Sequence, residues 1–327
     1  MKLAVYTFSD AGQKLAKKIM QIPEYNICIS DRANLTKDFY KMDGLIFICA
    51  TGIAVRLIAP LIQSKYEDPA VIVLDDAGHF TISLLSGHLG GANELAKKLA
   101  SFLENTAVIT TASDNRGVES LDIFAQRTGL VVDDFEHLKN AMACIINGKR
   151  VALYSEIKDE PFGIPFIKNC NFESDNIDYW VIISAYKIKT KMPACYLIPK
   201  NLYVGIGCKK NTEASIVKMA IEKACKKADV HTRGIVHIAT IELKKNEPAI
   251  IEAAKFFQCP LKIYTNEEVN SISLAAEDKS DFVFKTTGVY AVSEPCARLS
   301  GATLILKKFK YNGVTVSLAL KKEIEET

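Results

Sequence analysis

Residues 44–56 read Gly44-Leu45-Ile46-Phe47-Ile48-Cys49-Ala50-Thr51-Gly52-Ile53-Ala54-Val55-Arg56. The apolar run 45–50 has no polar alternation, the pattern of a strand covered on both faces in a parallel sheet. Thr51-Gly52 then turns the chain into an amphipathic segment over 53–63. A strand followed at once by a helix is the unit of an α/β fold, and the same rhythm runs outward in both directions. Upstream, residues 2–8 form a β-rich run, and Ser9-Asp10 can cap a helix carrying Leu15, Ala16, Ile19 and Met20 on one face. Downstream come a buried strand at 71–74, a turn at 75–78 and a returning strand at 80–84. Leu89, Ala92, Leu95, Ala96, Leu99, Phe102 and Leu103 follow the 3.6-residue period of a helix. A strand at 108–111 and a helix at 121–128 complete an open, mainly parallel sheet with helices on both faces.

The rhythm weakens beyond residue 130. A helix at 135–146 precedes short β runs at 151–154, 179–184 and 194–198, punctuated by Pro161, Pro165, Pro193 and Pro199. They predict a small strand-rich middle module. A second α/β unit begins at 201, with strands at 202–206, 235–241, 261–264, 303–306 and 314–320. Its helices are expected at 212–226, 248–257 and 290–299. The expected division is therefore 1–130, 131–200 and 201–327.

At 327 residues, 49% apolar and 24% charged, the chain has ample material for several packed cores. The net charge of +3 is uneven. Residues 1–200 hold 22 Lys/Arg against 23 Asp/Glu, and residues 201–327 hold 19 against 15. No basic run exceeds two residues, which does not predict a nucleic-acid stripe but suits a small anionic ligand. Nine cysteines without a CxxC spacing, among them Cys49, Cys144 and Cys225 in apolar runs, read as free, reduced, buried thiols. With no signal peptide or membrane-spanning stretch, the expectation is a cytoplasmic protein without a membrane partner.

Four segments follow strand ends and carry polar or glycine residues: Thr51-Gly52, Asp75-Asp76, Ser86-Gly87-His88-Leu89-Gly90-Gly91-Ala92-Asn93 and Ser113-Asp114-Asn115. Open α/β sheets take ligands outside strand C-termini, so the four are expected in one crevice. In the third, glycines cluster at the start of the strongest helix despite their poor helix propensity. They can bring backbone N–H groups against an anion or a developing oxyanion, with His88 beside them to accept a proton. They can equally serve close helix–sheet packing, with His88 capping the turn, and the string alone admits both. It is neither a P-loop nor a GxGxxG fingerprint, which argues against a nucleotide-binding protein. Gly205-Ile206-Gly207-Cys208-Lys209-Lys210 is a strand-to-helix turn bearing cations. His231 and His237 lack metal-ligand spacing, so no protein metal site is expected.

These strings resemble a known family. Residues 44–56, 82–93 and 108–114 are similar to the N-terminal signature of the CbiG proteins of cobalamin biosynthesis. Val204-Gly205-Ile206-Gly207-Cys208, Ala239-Thr240-Ile241, Thr287-Gly288-Val289 and Val314-Thr315-Val316 resemble the C-terminal domain of that family. The resemblance implies a hydrolase that opens the ring A δ-lactone of cobalt-precorrin-5A, releases acetaldehyde and leaves cobalt-precorrin-5B. It implies no resident cofactor, because cobalt arrives in the tetrapyrrole substrate. Under it, His88 is the expected base, oriented by Asp75 or Asp114. Gly90, Gly91 and Ala92 N–H groups would hold the oxyanion. Thr51, Gly52, Ser86, Gly87, Gly90, Gly91, Asn93, Lys209 and Lys245 are the expected substrate contacts. A carrier that only binds and hands over the tetrapyrrole is the alternative, distinguished by whether acetaldehyde is released.

Overall fold

The computed structural model describes residues 1–64, 67–88, 90–111, 116–276 and 279–321. It divides into two compact units: residues 1–126 with 161–164, and residues 127–160 with 165–327.

The first unit contains, in chain order, β1 (Lys2–Thr7), α1 (Asp10–Ile19), β2 (Asn26–Ile29), α2 (Leu35–Phe39), β3 (Gly44–Ile48), α3 (Thr51–Ile58), β4 (Ala70–Leu74), β5 (Phe80–Leu85), α4 (Ala92–Leu103), β6 (Thr106–Val108) and α5 (Leu121–Arg127). Its six-stranded sheet has the order β2-β1-β3-β4-β5-β6. All pairings are parallel except β4 with β5. Alternate residues of each strand feed opposite faces. Leu3, Val5, Ile46, Ile48, Ile72 and Leu74 pack under α1 and α4. Ala4, Tyr6, Leu45, Phe47, Val71 and Val73 pack against α2 and α3. This double burial explains the unbroken apolar run from which the strand was read. Ser9 caps α1 as expected, its hydroxyl accepting from Gly12 N–H at 3.0 Å.

The second unit carries two sheets. The smaller is built from β7 (Val131–Val132), β8 (Val151–Ser155), β9 (Tyr179–Ile183) and β10 (Ala194–Ile198), in the order β7-β10-β9-β8, with α6 (Phe135–Ile146) between β7 and β8. The larger begins with β11 (Leu202–Cys208), α7 (Ala214–Lys227), β12 (Ile235–Ile241), α8 (Pro248–Phe256) and β13 (Leu261–Tyr264). It continues through α9 (Asn266–Ser271), α10 (Asp281–Thr287), α11 (Ser293–Arg298), β14 (Thr303–Tyr311) and β15 (Val314–Leu320). Its order is β13-β12-β11-β15-β14, with β11, β12 and β13 mutually parallel and β15 antiparallel to both neighbours. The short helices α9 and α10 were not expected. The first had a signal in Thr265-Asn266-Glu267-Glu268, whose Thr265 and Glu268 form a capping box. The second has no buried residue, so apolar periodicity could not reveal it.

All nine cysteines are free thiols. Cys49 and Cys225 are buried as expected, whereas Cys144 is only half-buried. Burial pushes the Cys225 thiol up to about 12, which keeps it protonated and unreactive. Among the described residues no helix is long and apolar enough to cross a membrane.

Two residues make the packing of the second unit testable. A Cβ on Gly205 would lie 1.9 Å from the Ser293 carbonyl oxygen and 2.6 Å from the Ala297 nitrogen, both backbone atoms of α11. Gly205→Ala should therefore destabilise by about 2–3 kcal/mol, read as a lower urea midpoint. Gly207→Ala, whose Cβ would meet only the Val292 side chain at 3.2 Å, should cost clearly less.

His231 is buried against the Tyr196 ring, its Nδ1 3.9 Å from Asp133. Desolvation lowers its pKa to about 4. An unfolded histidine takes its proton near pH 6.5, one that the folded chain refuses until about pH 4. This contribution is thus full above pH 6.5 and declines as pH falls towards 4. We expect a loss of roughly 1–3 kcal/mol across that window. His231→Phe should flatten this part of the denaturation-versus-pH curve, and an unchanged slope would refute the assignment.

Candidate active site

The reversed strand decides which candidate residues meet. Strands β1, β3 and β4 run parallel and end together at Thr7, Ile48 and Leu74. Thr51, Gly52 and Asp75 follow those ends and lie at one edge of the sheet. Strand β5 runs back, with Leu74 opposite Thr81 and Val71 opposite Leu85. Its C-terminus therefore delivers Ser86, Gly87 and His88 to the other edge. Strand β6 is parallel to β5 and ends at the same side. The expected single crevice is thus two separate edges. Asp75 and Ser86 are separated by about five residues of strand rise, or roughly 16 Å. Asp75 cannot orient His88. Its carboxylate instead accepts the Phe80 N–H at 2.7 Å and faces His79 Nδ1 at 3.5 Å, closing the hairpin turn. Gly52 likewise serves locally, its carbonyl accepting from Arg56 Nη1 at 3.2 Å. Asp114 lies outside the described residues.

At the second edge the residues around His88 form one built structure. Asn93, on the first turn of α4, is buried. Its Oδ1 accepts from Ser83 Oγ at 2.7 Å and its Nδ2 donates to Thr111 Oγ1 at 2.9 Å. One carboxamide thereby ties β5, α4 and the segment beyond β6. Asn93 acts as a strut of the loop, not as the free substrate-facing amide that was expected. Gly87 packs so closely on it that a Cβ would sit 2.7 Å from Asn93 Oδ1. A Cβ on Gly90 would lie 2.4 Å from the Ser86 Cβ and 2.8 Å from the Ser86 oxygen. Gly91 caps α4 with φ 80°, a left-handed conformation suited to glycine. Gly87 and Gly90 thus serve close packing, and Gly91 serves the left-handed cap.

The same geometry revises the oxyanion expectation for two of its three donors, Gly91 and Ala92. Gly91 N–H donates to the His88 carbonyl at 2.9 Å, Ala92 N–H to Ser86 at 3.1 Å and Asn93 N–H to Gly87 at 2.9 Å. The loop's own carbonyls occupy these donors. Two other features do suit chemistry at this edge. His88 is half-buried on the loop between β5 and α4. Ser86 holds φ 55°, a strained value for a residue with a Cβ, and its buried Oγ has no hydrogen-bond partner among the described residues. Ser83 and Thr111 were missed by the sequence reading. Polar Thr81 and Ser83 alternating within an apolar strand were the available signal.

The cationic candidates lie elsewhere, in the C-terminal sheet of the second unit. Lys209 and Lys210, after β11, line a cavity of about 750 Å³ together with Lys244 and Lys308. Lys245 does not line it, so of the pair following β12 it is Lys244 that faces the space. Lys244 Nζ reaches Glu247 Oε2 at 3.3 Å, and Glu247 also accepts the Asn211 N–H at 3.1 Å. Among the described residues no group of three or more His, Cys, Asp or Glu could hold a metal ion.

The chain matches, in order, the families described as Cobalamin synthesis G N-terminal over residues 33–114, Cobalamin biosynthesis central region over 119–199, and Cobalamin synthesis G C-terminus over 202–319. It is 36% identical over 308 residues to the Cobalt-precorrin-5A hydrolase of Priestia megaterium, a match covering 89% of this chain and 82% of that protein. The chain belongs to the CbiG family. A second member, the Cobalt-precorrin-5A hydrolase of Salmonella typhimurium, is 30% identical, with 97% of both chains covered. Protein CobE of Sinorhizobium sp. is 30% identical over 121 residues, which is 36% of this chain and 79% of that protein. Within this CbiG chain the N-terminal match contains the whole 86–93 loop, and the C-terminal match contains the whole lysine-lined cavity.

The strut role of Asn93 is open to direct measurement. Asn93→Ala removes two hydrogen bonds of a buried carboxamide to the half-buried hydroxyls of Ser83 and Thr111, and should lower unfolding free energy by about 1–2 kcal/mol in chemical denaturation. Wild-type stability of that variant would remove Asn93 from this role.

Proposed function

We propose that the chain hydrolyses the ring A δ-lactone of cobalt-precorrin-5A, releasing acetaldehyde and giving cobalt-precorrin-5B in cobalamin biosynthesis. The observation that carries this reading is the likeness to proteins named Cobalt-precorrin-5A hydrolase along nearly the whole chain, reaching 97% of it. The loop at the His88 edge supplies the matching chemistry. A lactone is a cyclic ester, and its hydrolysis needs a water deprotonated as it attacks the carbonyl carbon. His88 is the base in this reading, and Asn93 holds its loop in place through Ser83 and Thr111. The tetrahedral adduct collapses with cleavage of the ring C–O bond, leaving a carboxylate on the acetate arm and a free carbinol. Loss of the carbinol proton then forms the aldehyde C=O, the bond to the macrocycle breaks, and its electron pair enters the conjugated ring before protonation. The sum consumes one water and releases one acetaldehyde, with no external oxidant or reductant.

No resident cofactor is needed for these steps, because the cobalt is carried in by the substrate. Of the expected oxyanion donors, the Gly91 and Ala92 N–H groups are occupied within the loop, so the Gly90 N–H is the donor to test. With Asp75 at the opposite edge, Asp114 is the carboxylate to test as the partner of His88. A cytoplasmic location, without a nucleic-acid or membrane partner, accords with free thiols and a small-molecule substrate.

Incubation with cobalt-precorrin-5A should release one acetaldehyde per macrocycle, followed by coupled NADH oxidation. His88→Ala should lower turnover by about 10²–10⁴-fold, the contribution of a positioned base. Absence of acetaldehyde with the wild-type chain overturns the activity, and near-normal turnover of the variant overturns the base.

A further inference from the structure

The three sheets have six edge strands: β2, β6, β7, β8, β13 and β14. An edge strand offers unpaired N–H and C=O groups to any other chain, and proteins defend it with charge, proline, shortness, bulges or a covering segment. Five of these edges are defended. Strand β14 carries Lys307, Lys308 and Lys310 and two breaks in its register. Strand β8 is covered by Ile167, whose N–H donates to the Val151 carbonyl at 2.9 Å and whose carbonyl accepts from Leu153 at 3.0 Å. Strand β13 follows Pro260 and carries Lys262. Strands β6 and β7 have only three and two residues.

Among the described residues β2 has none of these devices. Its sequence is Asn26-Ile27-Cys28-Ile29, without charge or proline, and it pairs with β1 in unbroken parallel register. The Asn26 and Ser30 N–H groups donate to the Met1 and Val5 carbonyls at 3.0 and 2.9 Å. Even-numbered residues therefore bond inwards, and Ile27 and Ile29 present their N–H and C=O groups outwards. Among the described residues those outward groups meet no backbone partner. The side chains are equally bare. Cys28 is exposed, Ile29 is 45% exposed, and Met20, at the end of α1, is 44% exposed.

We propose that β2 pairs antiparallel with β2 of a second copy of this chain, about a two-fold axis at Cys28, joining two six-stranded sheets into one. The strand is its own complement, as a two-fold interface requires. Pairing centred on Cys28 sets Ile27 opposite the partner's Ile29, and Ile29 opposite the partner's Ile27. These residues carry the outward groups, so each pair exchanges both hydrogen bonds. The flanking charges select this register. Glu24 and Arg32, both exposed, stand four residues to either side of Cys28. Each is thereby brought towards the partner's residue of opposite sign. A centre at Ile27 or Ile29 would set Glu24 towards an uncharged serine or asparagine instead. Glu24 also lies 3.5 Å from Lys98 Nζ, and a carboxylate has lone pairs enough for both cations. An extended peptide laid on a four-residue edge would bury far less than the roughly 1,200 Å² of a stable interface. A second copy adds its own Ile29, Met20 and charges on both sides of the axis. The proposal is independent of the hydrolase reading.

Sedimentation velocity of the reduced full chain should show a dimer that grows with concentration. Ile29→Pro removes an outward donor and spares the bonds to β1, a place where an edge strand tolerates proline. It should raise the dimer dissociation constant on the order of tenfold or more. Ile29→Lys should act in the same direction by setting a charge on the edge. Glu24→Arg and Arg32→Glu should each weaken the dimer several-fold, and the double variant should restore it. The register has its own reporter. Cys28 and the partner's Cys28 form the non-hydrogen-bonded pair on the axis, with Cα atoms about 4.5 Å apart, within disulfide range. Diamide, which takes up the two hydrogens as two thiols join, should therefore convert the chain to a covalent dimer, and Cys28→Ser should abolish that product. A wild-type chain that stays monomeric at every concentration overturns the proposal. So does a dimer that both Ile29 variants leave unchanged. Urea midpoints check that the variants fold, and if they do not, the presence or absence of the Cys28 cross-link in the wild-type dimer decides.

Discussion

Everything at the candidate active site depends on the reversal between β4 and β5. The turn over residues 75–79 is too short for a parallel crossover, which needs a dozen or more residues. Strand β5 must therefore return antiparallel, and the Asp75 carboxylate clamps that return by accepting the Phe80 N–H. One hydrogen-bonded turn thus sends the 86–93 loop to the edge opposite Asp75. It also lets β6, parallel to β5, bring Thr111 to Asn93. Without the reversal His88 would stand beside Asp75 and Thr51. With it, the loop has a different set of neighbours and Asp75 becomes a structural residue.

The two halves of the chain use related sheets for different ends. In the first unit the glycines of the loop allow Ser86, Gly90 and Asn93 to pack at distances that any Cβ would violate, holding a half-exposed histidine on a rigid base. At Ser86 a left-handed backbone coincides with a buried hydroxyl that has no hydrogen-bond partner among the described residues. Such strain persists only where surrounding contacts over-determine it, and the Ala92 N–H on the Ser86 carbonyl and the close approach of Gly90 supply them. In the second unit the analogous strand ends open onto a cavity. There the cations sit on turns and on β14, and the exposed apolar groups sit on short elements with little burial of their own.

The basic excess after residue 200 acquires a location from this arrangement. Four lysines meet at one cavity although they are spread from 209 to 308 in the chain. Proximity in sequence was a poor guide to the members: Lys244 faces the space and its neighbour Lys245 does not. Adjacent residues point in different directions, and only the orientation of the turn after β12 selects one.

The sequence by itself determined the α/β class, nearly all of the strands and the larger helices, because burial on one or both faces writes a period into the chain. It also determined the family, because strings such as residues 86–93 satisfy packing constraints that few substitutions meet. Even the reversal was legible, since the five residues between β4 and β5 admit no crossover, but its consequence for the site had to be followed through the strand register. Only the tertiary structure decided which residues share an edge, that Asn93 is a strut, that the Gly91, Ala92 and Asn93 N–H groups are occupied, and that the lysines converge. The physical reason is common to all four. Periodicity records whether a residue is buried, whereas partnership depends on the direction and register of strands distant in the chain, which local pattern does not encode.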